Sequence, residues 1–261
     1  MRRDVEGRLA QLAEHLAYTE RVGGSSPSPP TRMRRAALRA AGRRALRLAA
    51  ALAFSLAAAT PPRAEQTPMT FRSVSLEAPG CGARCPEVVV ADGVIEETTP
   101  QAFVEFARQA SLSTRLRSVV FLNSPGGNVV ASMELGYAFR RMRAAAIVAG
   151  YASQGSVSGP VSGRCLSACV YALMGAFRRV VPNESRVGLH RMSIVEPGEE
   201  RAPRGRRSLA DPHLVALLAR YAQRMGVDPA LVWRAESLSP DVLQILTPQE
   251  IARWRLGAAK L

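Results

Sequence analysis

Lysine is almost missing from this chain: among 261 residues the only one is Lys260, and histidine occurs just three times, at His15, His190 and His213. A lysine in the penultimate position leaves a serine–lysine dyad without its buried amine. The histidines and cysteines show neither His-x3-His nor Cys-x2-Cys spacing, so no metal is expected, and no cofactor is expected either. Aromatic residues make up 5% of the chain, and no basic stripe is interleaved with them, which argues against a nucleic-acid partner despite the net charge of +14. Long apolar runs are also lacking. The most continuous, Leu48 to Ala59, is short for a membrane span.

What is present divides the chain. Residues 1–32 carry mixed charge and end in Gly-Gly-Ser-Ser-Pro-Ser-Pro-Pro, the composition of a disordered extension, and Met33 is a second candidate start. Residues 33–64 contain seven arginines and no acidic residue, and the apolar run follows six of those arginines. With Pro62-Arg63-Ala64 as a candidate cleavage site this reads as a signal peptide, the alternative being an uncleaved inner-membrane anchor. Any membrane contact is expected through this leader alone, and the mature protein is expected in the periplasm. Residues 65–87 read as irregular and hold Cys81 and Cys85, and residues 88–261 are long enough for one domain with a real core.

Within that domain strands alternate with helices. Val88 to Ile95 reads as a strand, Gln101 to Ala110 as a helix, Val119 to Leu122 as a strand, Asn128 to about Arg143 as a helix, and Ala145 to Gly150 as a strand. Tyr151 to Gly163 is so rich in Ser and Gly that a loop is expected, and Glu196 to Arg207 reads as a surface excursion. Amphipathic helices are expected from Ser208 to Met225 and from Pro229 to Arg234. The pattern predicts an α/β fold with a mainly parallel sheet.

The chemistry gathers between Arg164 and His190. Ser167 follows a Gly- and Ser-rich stretch and opens the apolar helix Ala168 to Met174, where its hydroxyl is exposed and the Ala168 N–H points at whatever that hydroxyl attacks. Arg186 to His190 alternates as a strand that brings His190 back toward Ser167, a nucleophile and its base. Upstream, Asn-Ser-Pro-Gly-Gly breaks an apolar strand and places Gly126 and Gly127 in a strand-to-helix turn, where exposed N–H groups suit a carbonyl oxygen gaining negative charge. A capping serine, a structural histidine and an ordinary Pro-Gly turn are the plainer readings of the same residues.

The segments FLNSPGGNV, Cys-Leu-Ser-Ala-Cys with its apolar helix, and VPNESRVGLH resemble, in that order, the ClpP-type serine peptidases of the ClpP/crotonase superfamily. The similarity is greatest to periplasmic, ATPase-independent relatives with a Cys-x-Ser-Ala-Cys motif. It covers about Val88 to Leu256. The resemblance implies a ClpP/crotonase-like fold of repeated β-β-α units with C-terminal helices. It implies Ser167 as nucleophile, His190 as general base, and the N–H groups of Gly127 and Ala168 as an oxyanion hole. A peptide or protein substrate and a homo-oligomer also follow from the resemblance. The third member of a triad is expected before Ile245, with Asp241 as candidate and Glu236 as alternative. Arg191-Met192 stands where the family commonly has Gln-Pro.

The four cysteines form two Cys-x3-Cys pairs after the leader, which suits an oxidising compartment. Three connectivities are open. Cys81 with Cys85 and Cys165 with Cys169 is favoured, because the second bond would clamp the turn that presents Ser167, and reduced core cysteines are the alternative. Two functions remain: an exported serine hydrolase, a peptidase working by acyl transfer, or a non-catalytic binding or assembly module that keeps the fold.

Overall fold

A computed structural model describes residues 67–76, 81–110, 112–113, 115–154, 157–194, 208–209, 211–239 and 241–260. The extension 1–32, the leader 33–64 and the surface excursion 196–207 lie outside the described residues.

The sheet is built around β2 (Glu87–Asp92), whose Val88 to Ala91 are buried on both faces, as a central strand requires. Val89 and Ala91 face the helices and the main core, while Val88 and Val90 join Phe121 and Ala149 in a smaller cluster on the opposite face. β1 (Thr70–Ser75) pairs antiparallel with β2, and β3 (Leu116–Asn123) and β4 (Ala145–Gln154) follow in parallel. β5 (Val157–Ser162) folds back antiparallel on β4, and β7 (Arg178–Val180) runs parallel to its beginning. The sheet is therefore mainly parallel, and helices α1 (Thr99–Ala110) and α2 (Val129–Arg141) make its crossovers.

Two expectations are corrected here. Residues 65–87 are not wholly irregular, because β1 lies among them and supplies Phe71 to the chain of edge-on rings Phe71, Phe103 and Phe139, with centroids 5.2 and 5.1 Å apart. Tyr151 to Gly163 is mostly a hairpin: β4 runs on to Gln154 and β5 pairs from Val157 to Ser162. Ser and Gly have poor strand propensity, and here ladder pairing along the end of β4 overrides it.

Helix α3 (Cys169–Gly175) packs on α2 through glycines: a Cβ on Gly175 would lie 2.2 Å from the Gly136 Cα, and one on Gly136 would lie 2.1 Å from the Tyr221 hydroxyl. Alanine fits at neither contact. The C-terminal helices are α4 (Pro212–Arg224), α5 (Ala230–Glu236) and α6 (Pro248–Arg253). α4 starts later than the sequence pattern predicts, because Asp211 caps it and Pro212 takes its first position. Ser208 and Leu209 instead form β10, paired with β9 (Ser193–Ile194). Arg179 on β7 joins these helices to the sheet by donating to the carbonyls of Met174, Ala176, Met225, Arg255 and Leu256. Burial lowers its guanidinium to about 10, so it stays cationic and binds helix-end carbonyls in place of a carboxylate.

Candidate active site

A second, smaller sheet brings the site together. β6 (Arg164–Leu166) runs parallel to β8 (Arg186–Leu189) with Leu166 opposite Gly188, and β11 (Gln244–Ile245) covers the far edge of β8. The ladder continues one step further, as the Ser167 N–H donates to the Gly188 carbonyl at 2.8 Å. Ser167 is thereby pinned beside β8 two residues before His190.

At Ser167 the chain turns sharply from β6 into α3. Its φ is 56°, a left-handed conformation that costs a non-glycine residue about 1–3 kcal/mol and that recurs where a side chain must be thrust out of a strand-to-helix turn. The hydroxyl Oγ lies 2.6 Å from Nε2 of His190. The other ring nitrogen, Nδ1, lies 2.6 Å from the carbonyl oxygen of Arg191. A carbonyl can only accept, so Nδ1 carries the ring proton, and Nε2 presents its lone pair to the serine hydroxyl. That is the tautomer a general base needs.

Gly126 and Gly127 close the site from the end of β3. Their φ values are 111° and 140°, and a Cβ on Gly126 would sit 2.7 Å from the Ser167 Cβ and 3.1 Å from its Oγ. Ile95 holds this turn on both sides, its N–H donating to Gly126 and its carbonyl accepting from Asn128. Asn128 then caps α2, its Oδ1 accepting from the Ala131 N–H at 2.9 Å. Among the described residues no acceptor takes the backbone N–H of Gly127 or of Ala168. Apolar Val129, Val170, Leu189 and Leu231 line a narrow cleft that opens on Ser167 and His190.

Cysteines pair as Cys81 with Cys85 and Cys165 with Cys169. The second bond joins the middle of β6 to the first residue of α3, with Cα atoms 5.2 Å apart and Ser167 between them. Closing so short a loop contributes about 2 kcal/mol on the chain-entropy account. Replacing both Cys165 and Cys169 by alanine is therefore expected to lower stability by about that much, with any cavity cost on top. The larger expected loss is in the reactivity of Ser167, since the bond restrains its turn. Urea unfolding and fluorophosphonate labelling, run on the same variant, separate the two effects. Both sulfurs belong to residues with no exposed surface, so a mild reductant should reach Cys81–Cys85 first.

No family model matches the chain, and no curated protein matches it. Among solved structures the chain is similar to two of the 1510-N membrane-bound stomatin-specific protease. One aligns at 16% identity with a TM-score of 0.47, covering 66% of this chain and 78% of that one. The other, in complex with a substrate peptide, aligns at 17% with a TM-score of 0.46, covering 66% and 74%. ClpP1 from Listeria monocytogenes aligns at 14% with a TM-score of 0.42, covering 65% and 88%.

Among the described hydrogen bonds, neither candidate carboxylate accepts from Nδ1 of His190. Asp241 is exposed on the turn before β11, and among the described hydrogen bonds none joins it to the ring. The reason is local: β8 ends at Leu189, and the next turn folds the Arg191 carbonyl back onto the ring of the preceding residue. Glu236, at the end of α5, stands near the ring but bonds elsewhere, its Oε1 accepting from the Met192 N–H at 3.1 Å. Burial pushes the Glu236 carboxyl above its ordinary value, opposed by the Met192 N–H, Arg191 and His190. The Arg191 carbonyl is the group that sequence reasoning missed. Backbone atoms carry no residue signature, so no side chain in the sequence marks the place.

Proposed function

We propose that the protein is an exported serine hydrolase of ClpP-like type, a peptidase that works by acyl transfer in the periplasm on peptide or protein substrates. The observation that carries this reading is the 2.6 Å contact of Ser167 Oγ with the unprotonated Nε2 of a histidine whose Nδ1 is held by Arg191. In the first step His190 takes the hydroxyl proton as Oγ bonds to the substrate carbonyl carbon, and the carbonyl oxygen gains the charge. The N–H groups of Gly127 and Ala168 are the donors proposed for that oxyanion. His190 then returns the proton to the leaving amine, and the C–N bond breaks to leave an ester on Ser167. Water, deprotonated by His190, releases the acyl group by the reverse sequence. The apolar cleft beside Ser167 suits an apolar side chain of the substrate. Assembly into a homo-oligomer, with the C-terminal helices as the contact, is part of the same proposal.

One observation favours a second reading, a non-catalytic binding or assembly module: a backbone carbonyl, not a carboxylate, holds Nδ1. Labelling with a fluorophosphonate decides between them. The expected result is a covalent adduct that peptide mapping places on Ser167 and that disappears in Ser167→Ala. A folded wild-type protein that forms no adduct would favour the module.

A further inference from the structure

We infer that Glu236 is a positioning residue for His190 and acts on the ring through the single peptide that joins Arg191 to Met192. The N–H that Glu236 holds and the carbonyl that meets Nδ1 belong to that one peptide unit. A trans peptide is planar and its N–H and C=O point in opposite directions, so holding the N–H aims the carbonyl. Glu236 on α5 and His190 after β8 are thus clamped to the two ends of one rigid plate. A carboxylate bonded to the N–H also polarises the amide and makes its oxygen a stronger acceptor. Negative charge is in this way passed to Nδ1 without any carboxylate touching the ring.

Two further observations support the assignment. Only 11% of the Glu236 side chain is exposed, and its second oxygen, Oε2, lies 4.0 Å from Arg191 Nε, so a charge contact and a backbone hydrogen bond tie it to the same residue pair. The groups facing it are His190, Arg191 and Tyr171, and burial, with the charge of Glu236 adding to it, pushes the Tyr171 hydroxyl up, which keeps that hydroxyl neutral. Stability does not account for a carboxylate here. With its carboxyl raised by burial, Glu236 favours the fold most when protonated, below the ordinary carboxylate range, and that contribution is lost as pH rises through the raised value. At neutral pH the ionised group is therefore a burden that Glu236→Gln removes.

The catalytic meaning of this clamp rests on the serine hydrolase reading, but its test does not. The imidazole nitrogens of His190 are to be observed by 15N resonance in the full chain, with the signal assigned by its loss in His190→Gln. Wild type should show the neutral ring protonated on Nδ1. Glu236→Ala should show a mixture of both tautomers and a fall of about 10- to 100-fold in Ser167 labelling, the scale of a small misplacement of a reacting group. Glu236→Gln keeps an acceptor for the Met192 N–H but removes the charge, so it should keep the Nδ1 tautomer, label more slowly than wild type though faster than Glu236→Ala, and melt no lower at neutral pH. Asp241→Asn should change nothing. Glu236→Asp keeps the charge but withdraws it by one methylene, and should behave like Glu236→Ala. It answers the question if the alanine variant does not fold. Folded alanine or aspartate variants with a wild-type tautomer would overturn the inference, as would Glu236→Gln with mixed tautomers. If wild type fails to label while the tautomers shift as described, the hydrolase reading falls and the clamp stands.

Discussion

Exchanging His190 for glutamine is expected to slow the labelling of Ser167 by about 10²–10⁴-fold, the range over which a positioned base contributes. Glutamine is close to histidine in reach and can accept a hydrogen bond from Oγ, but its amide oxygen cannot take the proton. A serine hydroxyl left to itself is a poor nucleophile, so the rate should fall toward that of an unassisted alcohol in the same cleft. The fold should hardly respond, because His190 is half-buried after the end of β8 and the ladder between Leu166 and Gly188 does not involve its side chain. A large loss of labelling with little change in melting temperature is the signature of a base. Labelling at the wild-type rate would show that the 2.6 Å contact is only a structural hydrogen bond. The sharper comparison is with Glu236→Ala: removal of the base should cost more than loosening the group that aims it.

The parts of this site differ in how well the sequence announces them. Ser167 and His190 are legible because each sits at a change of pattern, the first where a Gly- and Ser-rich stretch gives way to an apolar helix, the second at the end of an alternating strand. Asn128 is legible as the start of a helical pattern for the same reason, and the structure makes it the residue before the helix, its Oδ1 accepting from the Ala131 N–H. For the cysteines the sequence leaves three connectivities open and favours the pair that clamps this turn, which the structure forms with Cα atoms 5.2 Å apart. What holds Nδ1 is not legible. The sequence points to carboxylates, Asp241 and Glu236, because carboxylates are what a sequence can display, while the structure uses a carbonyl that any residue would supply. The β4–β5 hairpin was hidden by a different cause. Ser and Gly are weak strand formers, and pairing along the end of an existing strand supplies order that local propensity does not.

Replacing Gly127 by alanine should cost about 4 kcal/mol, close to the whole stability of a marginal domain. Two terms add. At φ 140° the backbone occupies a region that L-residues rarely adopt, and an added Cβ would lie 2.0 Å from the Ile95 carbonyl oxygen and 2.8 Å from its carbon. Both atoms are backbone, so no side chain can swing aside to make room. Ile95 is itself fixed, accepting from Asn128 and donating to Gly126, and its side chain is fully buried in the main core. Relief of the clash must therefore move the turn that faces Ser167, which should reduce labelling even in the fraction that folds. Gly226 supplies the control. It too has positive φ, 76°, but nothing lies within 4 Å of the place its Cβ would take, so Gly226→Ala should cost only the conformational term of about 1–2 kcal/mol. In sequence the two glycines look alike. Urea midpoints measured side by side distinguish strain alone from strain with a backbone clash, and equal losses at the two positions would show that the turn at Gly127 yields more easily than its contacts with Ile95 allow.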